Sequence, residues 1–139
     1  MCLIVPLAFA MLFGVAPAFA QAKPELSYEF FRDNVQPIFL KKRPGMARCI
    51  TCHTHRLPQL EKPEAGKWTE EQSRKNFAMW RQFVVPGQPM KSRLLLHPLA
   101  KEAGGDHFHA GGKHFKSQND PEWQTLAAWV KGQTKGASK

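Results

Sequence analysis

Two cysteines and a histidine lie close together in the stretch ARCITCHTH, at residues 47–55. Cys49 and Cys52 are three residues apart, and His53 follows directly. The chain has only three cysteines, and the third, Cys2, lies in an apolar N-terminal segment. Paired cysteines of this spacing occur in disulfides, redox-active sites, zinc sites and sites of covalent haem attachment. The rest of the sequence has to discriminate between these four uses.

Two of these uses fit the sequence poorly. A thioredoxin-like redox pair requires a βαβ context, and the chain shows no strand-like alternation of any length. A structural zinc site places a long loop between two pairs of ligands, whereas the cysteines and histidines here, Cys49, Cys52, His53 and His55, fall within seven residues. A plain disulfide between Cys49 and Cys52 stays open, since disulfides persist in exported proteins.

Covalent haem attachment fits the motif best, because CxxCH is the signature of haem c. Two thiols on one helical turn can each add to a vinyl group of the haem and form a thioether. The imidazole of the next residue then lies under the iron as its proximal ligand. We therefore predict one haem c, attached through Cys49 and Cys52, with His53 as the proximal iron ligand.

Helical segments are predicted on both sides of this motif. Apolar residues recur at helical spacing from Ser27, a predicted N-cap, to about residue 43. Pro37 lies in the middle of this segment and predicts a kink or a break near residues 34–36. Thr69 and Gln72 form a capping-box pattern that begins a second helix.

The C-terminal half contains a short and a longer apolar segment. Residues 92–100 form either a short third helix that ends at Pro98 or an extended buried run. Asp120 and Pro121 have the types expected at an N-cap and at the first position of the last helix, and Gly132 ends it. Four large aromatic residues on the first and last helices are predicted to line a pocket and the core: Phe30, Phe39, Trp123 and Trp129. The predicted class is all-α with long loops.

The first twenty residues carry no charge and end in Ala18, Phe19 and Ala20, a small-x-small pattern. We predict a secretion signal at residues 1–20, cleaved near Ala20, and one domain at residues 21–139 in the periplasm or otherwise exported. An uncleaved membrane anchor is the alternative, because the run from Cys2 to Ala20 is nearly long enough to span a bilayer.

The charge of the chain is strongly positive. Twenty Lys and Arg against eleven Asp and Glu give a formal charge of +9, all of it beyond residue 20. Such a surface attracts acidic proteins or phospholipid headgroups, and export argues against nucleic acid as a partner. We expect acidic redox partner proteins or peripheral membrane association, beside the alternative of a basic surface that serves only solubility.

The order of motifs resembles a known family. VQPIF, CITCH, VVPGQPMKSRLLLHPL, a glycine-rich segment and DPEWQTLAAWVKG follow one another over nearly all of residues 27–132. This order is similar to that of monohaem c-type cytochrome domains of the planctomycete and acidobacterial type. The resemblance implies a small cytochrome c-like helical domain around one haem and a role in electron transfer. Such a protein is an electron carrier and not an enzyme, and it acts alone or as a subunit of a larger oxidoreductase.

In relatives of this type a Met-Pro-Pro sequence before the last helix commonly supplies the sixth iron ligand. The corresponding stretch here, DHFHAGGKHF, contains no methionine. Aligning HAGGK with the Met-Pro-Pro-Gly-Gly-Lys register places His109 closest to the methionine position, and His107 is next. We therefore predict His109 as the distal ligand, and a bis-histidine haem of low reduction potential.

Other residues compete for the distal position or lie near it. His97 precedes Pro98 and is predicted to cap the third helix or to bind a haem propionate, while Met79 is predicted to fill the core and Met90 to be exposed. His55 and His114 are predicted to be surface groups or hydrogen-bond partners of the ligands. The rival function is a haem-based sensor or catalytic module with an open distal position that binds a small ligand.

Overall fold

The computed structural model describes residues 22–134, so the predicted secretion signal lies outside the described residues. Within this range the chain is helical with long loops and forms no β-strand, only three isolated bridges. None of the helices in these residues is long and apolar enough to cross a membrane. The described part is therefore helical with long loops, as predicted.

Helix α1 covers residues 28–40 and is followed by four further helices in the described part. Three consecutive segments make up α1: Tyr28–Phe30 (α-helical), Phe31–Val35 (π-helical) and Gln36–Leu40 (α-helical). The other helices are α2 (Cys49–His53), α3 (Glu70–Trp80), α4 (Arg93–Leu96) and α5 (Pro121–Val130). Short 3₁₀ turns occur at Arg81–Phe83, Pro89–Lys91 and Lys101–Ala103.

The π-helical turn in α1 is the structural answer to Pro37. Proline has no N–H and clashes with the preceding turn of a regular helix. Here the backbone N–H of Gln36 donates to the carbonyl of Phe31, five residues back, and the Asn34 side chain donates to the carbonyl of Phe30 at 3.3 Å. The helix widens ahead of the proline and continues. The predicted break near residues 34–36 is therefore wrong, and the irregularity is a π-turn.

This π-turn lies at the centre of the hydrophobic core. Phe31 is fully buried, and its ring centroid lies 5.0 Å from that of Trp129, 5.5 Å from Phe77 and 6.2 Å from Phe39. Helices α3 and α5 both pack against the π-helical segment. The four aromatic residues predicted for the core, Phe30, Phe39, Trp123 and Trp129, are all buried.

The predicted helix starts are confirmed. Ser27 Oγ accepts from the N–H of Phe30 at 3.1 Å, and Thr69 and Gln72 form both hydrogen bonds of a capping box. Asp120 accepts from the N–H groups of the first turn of α5, and Pro121 is the first residue of that helix. Each cap satisfies N–H groups that have no partner inside the helix.

A tight turn before α4 joins the middle of the chain to the end of α5. The fully buried Ser92 accepts from the N–H of Val85 at 2.9 Å and donates to the carbonyl of Gln88 at 2.9 Å. The N–H of Gly87 donates to the carbonyl of Val130 at 2.7 Å. Residues after Ser92 form the short helix α4 with a turn at residues 97–98, so the helical alternative for residues 92–100 is confirmed.

Candidate functional site

The cysteine motif forms its own short helix, α2, which begins at Cys49 and packs against the last segment of α1. Cys49 contacts the hydrophobic core, and Cys52 and His53 are partly buried. Both thiols are free, so the two cysteines are not joined in a disulfide. The motif is therefore held as one helical turn, the arrangement that brings both thiols and the following imidazole to one side.

The Cys49 thiol is poorly suited to thiolate chemistry. Burial raises the pKa of Cys49 to about 11, although the positive charge of Arg43 opposes this shift. Redox-active and zinc-binding cysteines need a lowered pKa or a metal that favours the thiolate. The described residues also contain no group of three or more His, Cys, Asp or Glu side chains that could hold a metal ion. The raised pKa of Cys49 is the opposite of what a redox-active cysteine needs.

The ring of His53 has one nitrogen committed and one nitrogen free for a ligand. Its Nδ1 lies 2.7 Å from the carbonyl oxygen of Pro58. A carbonyl can only accept, so Nδ1 carries the proton and the lone pair is on Nε2. Burial lowers the pKa of His53, and hydrogen bonds to backbone carbonyls partly offset it. The neutral imidazole with an oriented Nδ1–H is the state that metal-bound histidines adopt.

The glycine-rich loop, residues 104–115, is closed at its base by backbone hydrogen bonds. The N–H of Ala100 donates to the carbonyl of Phe115 at 2.8 Å, and the N–H of Phe115 donates to the carbonyl of Pro98 at 3.1 Å. A Cβ atom on Gly105 would lie 2.0 Å from the carbonyl oxygen of Leu99, so only glycine fits there. The loop ends are therefore fixed, and the histidines between them have a defined position.

His109 has the same ring arrangement as His53. Its Nδ1 lies 2.6 Å from the carbonyl oxygen of Gly112, which leaves the lone pair on Nε2. Burial lowers the pKa of His109, and the charges of His97 and His53 lower it further. The charge of His53 is thus among those that act on the pKa of His109. The ring of His109 also lies 4.8 Å from that of His97 and 5.8 Å from that of His114.

The remaining histidines occupy different environments. His97 Nδ1 lies 2.9 Å from a carboxylate oxygen of Asp106, and Lys113 donates to the carbonyl of His97 at 3.0 Å. His107 is exposed. His55 is also exposed, as predicted, but His114 is buried, with only 8% of its surface accessible. Of the two alternatives predicted for His114, the surface position is wrong, and its ring lies 5.8 Å from that of His109.

Two methionines were alternative candidates for the distal ligand, and both have the environments predicted for them. Met79 packs against the hydrophobic core and Met90 is exposed, as predicted for both. Met46 was not singled out from the sequence, yet its sulfur lies 2.5 Å from the position that a Cβ on Gly112 would occupy. The glycine therefore allows the loop that carries His109 to approach the segment just before Cys49.

Several residues that shape this site carried only weak signals in the sequence. Pro58 follows the motif in a segment without periodicity, and Trp80 and Asn76 read as ordinary residues of α3. The Trp80 ring lies 5.1 Å from that of His53. Arg43 donates to the carbonyl of His114 at 3.2 Å and contacts the first turn of α5 through Asp120. Only the i, i+4 spacing of Asn76 and Trp80 could have indicated a shared face.

The site thus combines two thiols on one helical turn with two neutral imidazoles that each keep Nε2 free. Thioether-forming cysteines and axial imidazoles are the donor set of a haem c, so the residues present fit that group. This fit rests on the types of the ligating atoms and on the hydrogen bonds that the Nδ1 atoms of His53 and His109 donate to backbone carbonyls. The chain matches no protein-family model, no curated protein sequence and no solved structure.

Proposed function

We propose that this protein is an exported c-type cytochrome of cytochrome c-like fold that carries single electrons through one haem attached to Cys49 and Cys52. The observation that carries the proposal is the state of His53 directly after the paired thiols. Its Nδ1–H donates to the Pro58 carbonyl, so its Nε2 is the nitrogen that can bind iron. A metal-binding histidine needs this fixed tautomer and ring orientation.

When bound, the haem supplies an iron that gains and loses one electron. The chain's own residues attach it, ligate it and limit the access of water. Cys49 and Cys52 form the covalent anchor, and His53 is the proximal ligand. The buried aromatic residues Phe39 and Trp80 stack at 4.3 Å next to His53 and give the proximal side an apolar wall.

We propose His109 as the distal ligand, with His107 as the next candidate. His109 is partly buried, its free nitrogen is Nε2, and its charge is coupled to that of His53. His107 is exposed and has none of these features. Because an imidazole replaces the thioether of methionine, the haem is expected to have a low reduction potential.

The charge of the protein supports a carrier that meets its partners by diffusion. A formal charge of +9 steers encounters with acidic redox partners outside the cytoplasm. His53 and His109 would together ligate the iron of the haem and leave it no site for a substrate, so we propose an electron carrier that acts alone or within a larger oxidoreductase. The same charge also favours peripheral association with anionic membranes.

The test is an absorption spectrum of the oxidised and reduced protein, produced in a host with haem c maturation and exported. Noncovalent haem is first extracted with acid. Sharp reduced bands that survive extraction, and their absence in the Cys49→Ala/Cys52→Ala double variant, are the expected result. A colourless wild-type protein would contradict the proposal and return the cysteine pair to a disulfide or zinc.

The distal ligand is tested by comparing His109→Ala with His107→Ala. We expect His109→Ala to become high-spin and to bind carbon monoxide at once, whereas His107→Ala keeps the wild-type low-spin spectrum. If the wild-type protein itself binds carbon monoxide readily, the iron has an open distal position, and the sensor or catalytic module becomes the better description.

A further inference from the structure

The bridging segment, residues 58–62, lies between the cysteine helix and α3 and forms two hydrogen bonds with His53. The carbonyl of Pro58 accepts from Nδ1 of the His53 ring at 2.7 Å. The N–H of Leu60 donates to the backbone carbonyl of His53, also at 2.7 Å. Leu60 is itself buried in the core. The bridging segment therefore holds both the ring and the backbone of His53 by hydrogen bonds.

Helix α3 holds the same segment through the residues in between. The indole N–H of Trp80 donates to the carbonyl of Gln59 at 3.1 Å, and Oδ1 of Asn76 accepts from the N–H of Glu61 at 2.8 Å. Trp80 and Asn76 are almost fully buried, at 4% and 1% exposure. They lie four residues apart and so share one face of the helix. These two buried side chains on one face of α3 thus hold the segment.

The two sets of bonds alternate along the segment. Residues 58 and 60 bond His53, and residues 59 and 61 bond α3. The Gln59 carbonyl and the Leu60 N–H belong to one planar peptide unit, so Trp80 and the backbone carbonyl of His53 hold the same rigid plane. The Pro58 carbonyl and the Glu61 N–H belong to the two peptide units on either side of it. The position of the His53 ring therefore depends on side chains of α3 that lie outside the cysteine motif.

We propose that Trp80 and Asn76 are positioning residues that set the orientation and basicity of the His53 imidazole through the bridging segment. The inference rests on the proposed function, in which His53 ligates iron. A hydrogen bond at Nδ1 raises the basicity of a metal-bound imidazole. Loss of either contact with α3 lets the Pro58 carbonyl move away. The bond then weakens, and the reduction potential of the haem rises because the oxidised iron is stabilised less.

The chain offers matched controls for this inference. Three buried tryptophans each donate their indole N–H to a backbone carbonyl: Trp80 to Gln59, Trp123 to Leu95 at 3.3 Å, and Trp129 to Ser27 at 2.9 Å. Substitution by phenylalanine removes this donor and keeps an aromatic ring in each case. Among the three, only the Trp80 bond ends on the bridging segment.

The experiment compares the haem-loaded wild type with Trp80→Phe, Asn76→Leu, Trp123→Phe and Trp129→Phe. Two properties are measured: the reduction potential, and the paramagnetic proton shifts of the haem methyl groups, which report the orientation of the axial imidazole planes. We expect Trp80→Phe and Asn76→Leu to change the pattern of methyl shifts and to raise the potential. The two control variants should reproduce the wild-type pattern while losing some stability.

Unchanged methyl shifts and potential in Trp80→Phe would overturn the inference, as would equal changes in the two controls. If Asn76→Leu does not fold, Trp80→Phe still decides, because it keeps the aromatic packing on Phe39 and His53. A wild-type protein without covalent haem would refute the proposed function, and this inference with it. A wild type that has haem but shows no effect of Trp80→Phe would refute the inference alone.

Discussion

The two sides of the candidate site are held by different kinds of contact. On the cysteine side, His53 is held by the bridging segment, which buried side chains of a regular helix hold in turn. On the opposite side, His109 bonds the carbonyl of Gly112 within its own loop, and the N–H of Gly112 bonds back to the carbonyl of His109. One imidazole is positioned by distant side chains, and the other by local backbone.

This difference decides which substitutions matter on each side. The cysteine side depends on the identity of hydrogen-bonding side chains, such as Trp80 and Asn76. The loop side depends on the absence of side chains, because glycines let the backbone approach α4 and the segment before Cys49. The glycine-rich loop therefore tolerates little added volume where its backbone contacts another backbone. Its stability depends on the contacts at its base.

Among the substitutions that test this difference, Gly105→Ala is expected to change the free energy of unfolding most. The added Cβ would lie 2.0 Å from the carbonyl oxygen of Leu99, and Leu99 is fully buried, so neither partner can move easily. We expect a loss of about 3 kcal/mol or more in the free energy of unfolding. Urea unfolding of both proteins, wild type and variant, measures it.

Gly66→Ala is the matched control on the cysteine side. Gly66 has a φ of +78° in the turn at residues 64–67, but a Cβ there meets no atom within 4 Å. Only the left-handed backbone conformation is penalised, at about 1–2 kcal/mol. Equal losses for the two variants would show that the base of the glycine-rich loop can shift, and the contrast between the two sides would fail.

The second effect concerns the contact that ties the loop to the helices. Arg43, only 18% exposed, donates to the carbonyl of His114, pairs with Glu122 and Asp120, and covers the Phe115 ring at 4.6 Å. Arg43→Met keeps much of the length of the side chain but removes these bonds. The carboxylates of Asp120 and Glu122 then lose their partner Arg43. We expect a loss of about 2 kcal/mol in stability, because the pair is largely shielded from water.

Lys41→Met is the control for Arg43→Met, since Lys41 also pairs with Glu122, at 2.5 Å, but is 64% exposed. An exposed ion pair contributes less than about 1 kcal/mol. Thermal and urea unfolding of both variants should therefore rank Arg43→Met well below Lys41→Met in stability. The opposite ranking would mean that the exposed ion pair of Lys41 contributes more than the shielded contacts of Arg43, and that Arg43 does not hold the glycine-rich loop.

The sequence predicted the cysteine side better than the loop side. The CxxCH spacing fixes which atoms meet within one helical turn, and the caps at Ser27, Thr69 and Asp120 depend on neighbours within a few residues. Such local relations can be read from residue types. The all-helical class follows from the same local signals.

Other features depend on contacts between distant parts of the chain. The bond between Trp80 and Gln59 joins residues 21 apart, and the bond between Arg43 and His114 joins residues 71 apart. Pro37 signals a disturbance of α1, but whether the helix breaks or forms a π-turn depends on the burial of Phe31 and Val35 between α3 and α5. No periodicity within one segment contains that information.

The smallest expected effect is the pH dependence of stability that His114 gives to the loop side. Burial lowers the pKa of His114, and the charges of His109 and Arg43 add to this shift, against a hydrogen bond to the backbone of Gly111. In the unfolded chain a histidine has a pKa near about 6.5. Between the folded and the unfolded pKa the unfolded state binds more protons, so stability rises with pH.

The contribution of His114 is therefore fully present above about pH 6.5 and is lost as the pH falls below that value, with a slope of at most about 1.4 kcal/mol per pH unit. If Nε2 of His53 and of His109 binds iron as proposed, His114 is the histidine of this shifted group left to titrate. Urea unfolding between pH 5 and 8 should show a flatter curve for His114→Gln than for the wild type. A curve for His114→Gln as steep as that of the wild type would show that burial of His114 in the glycine-rich loop is not the cause.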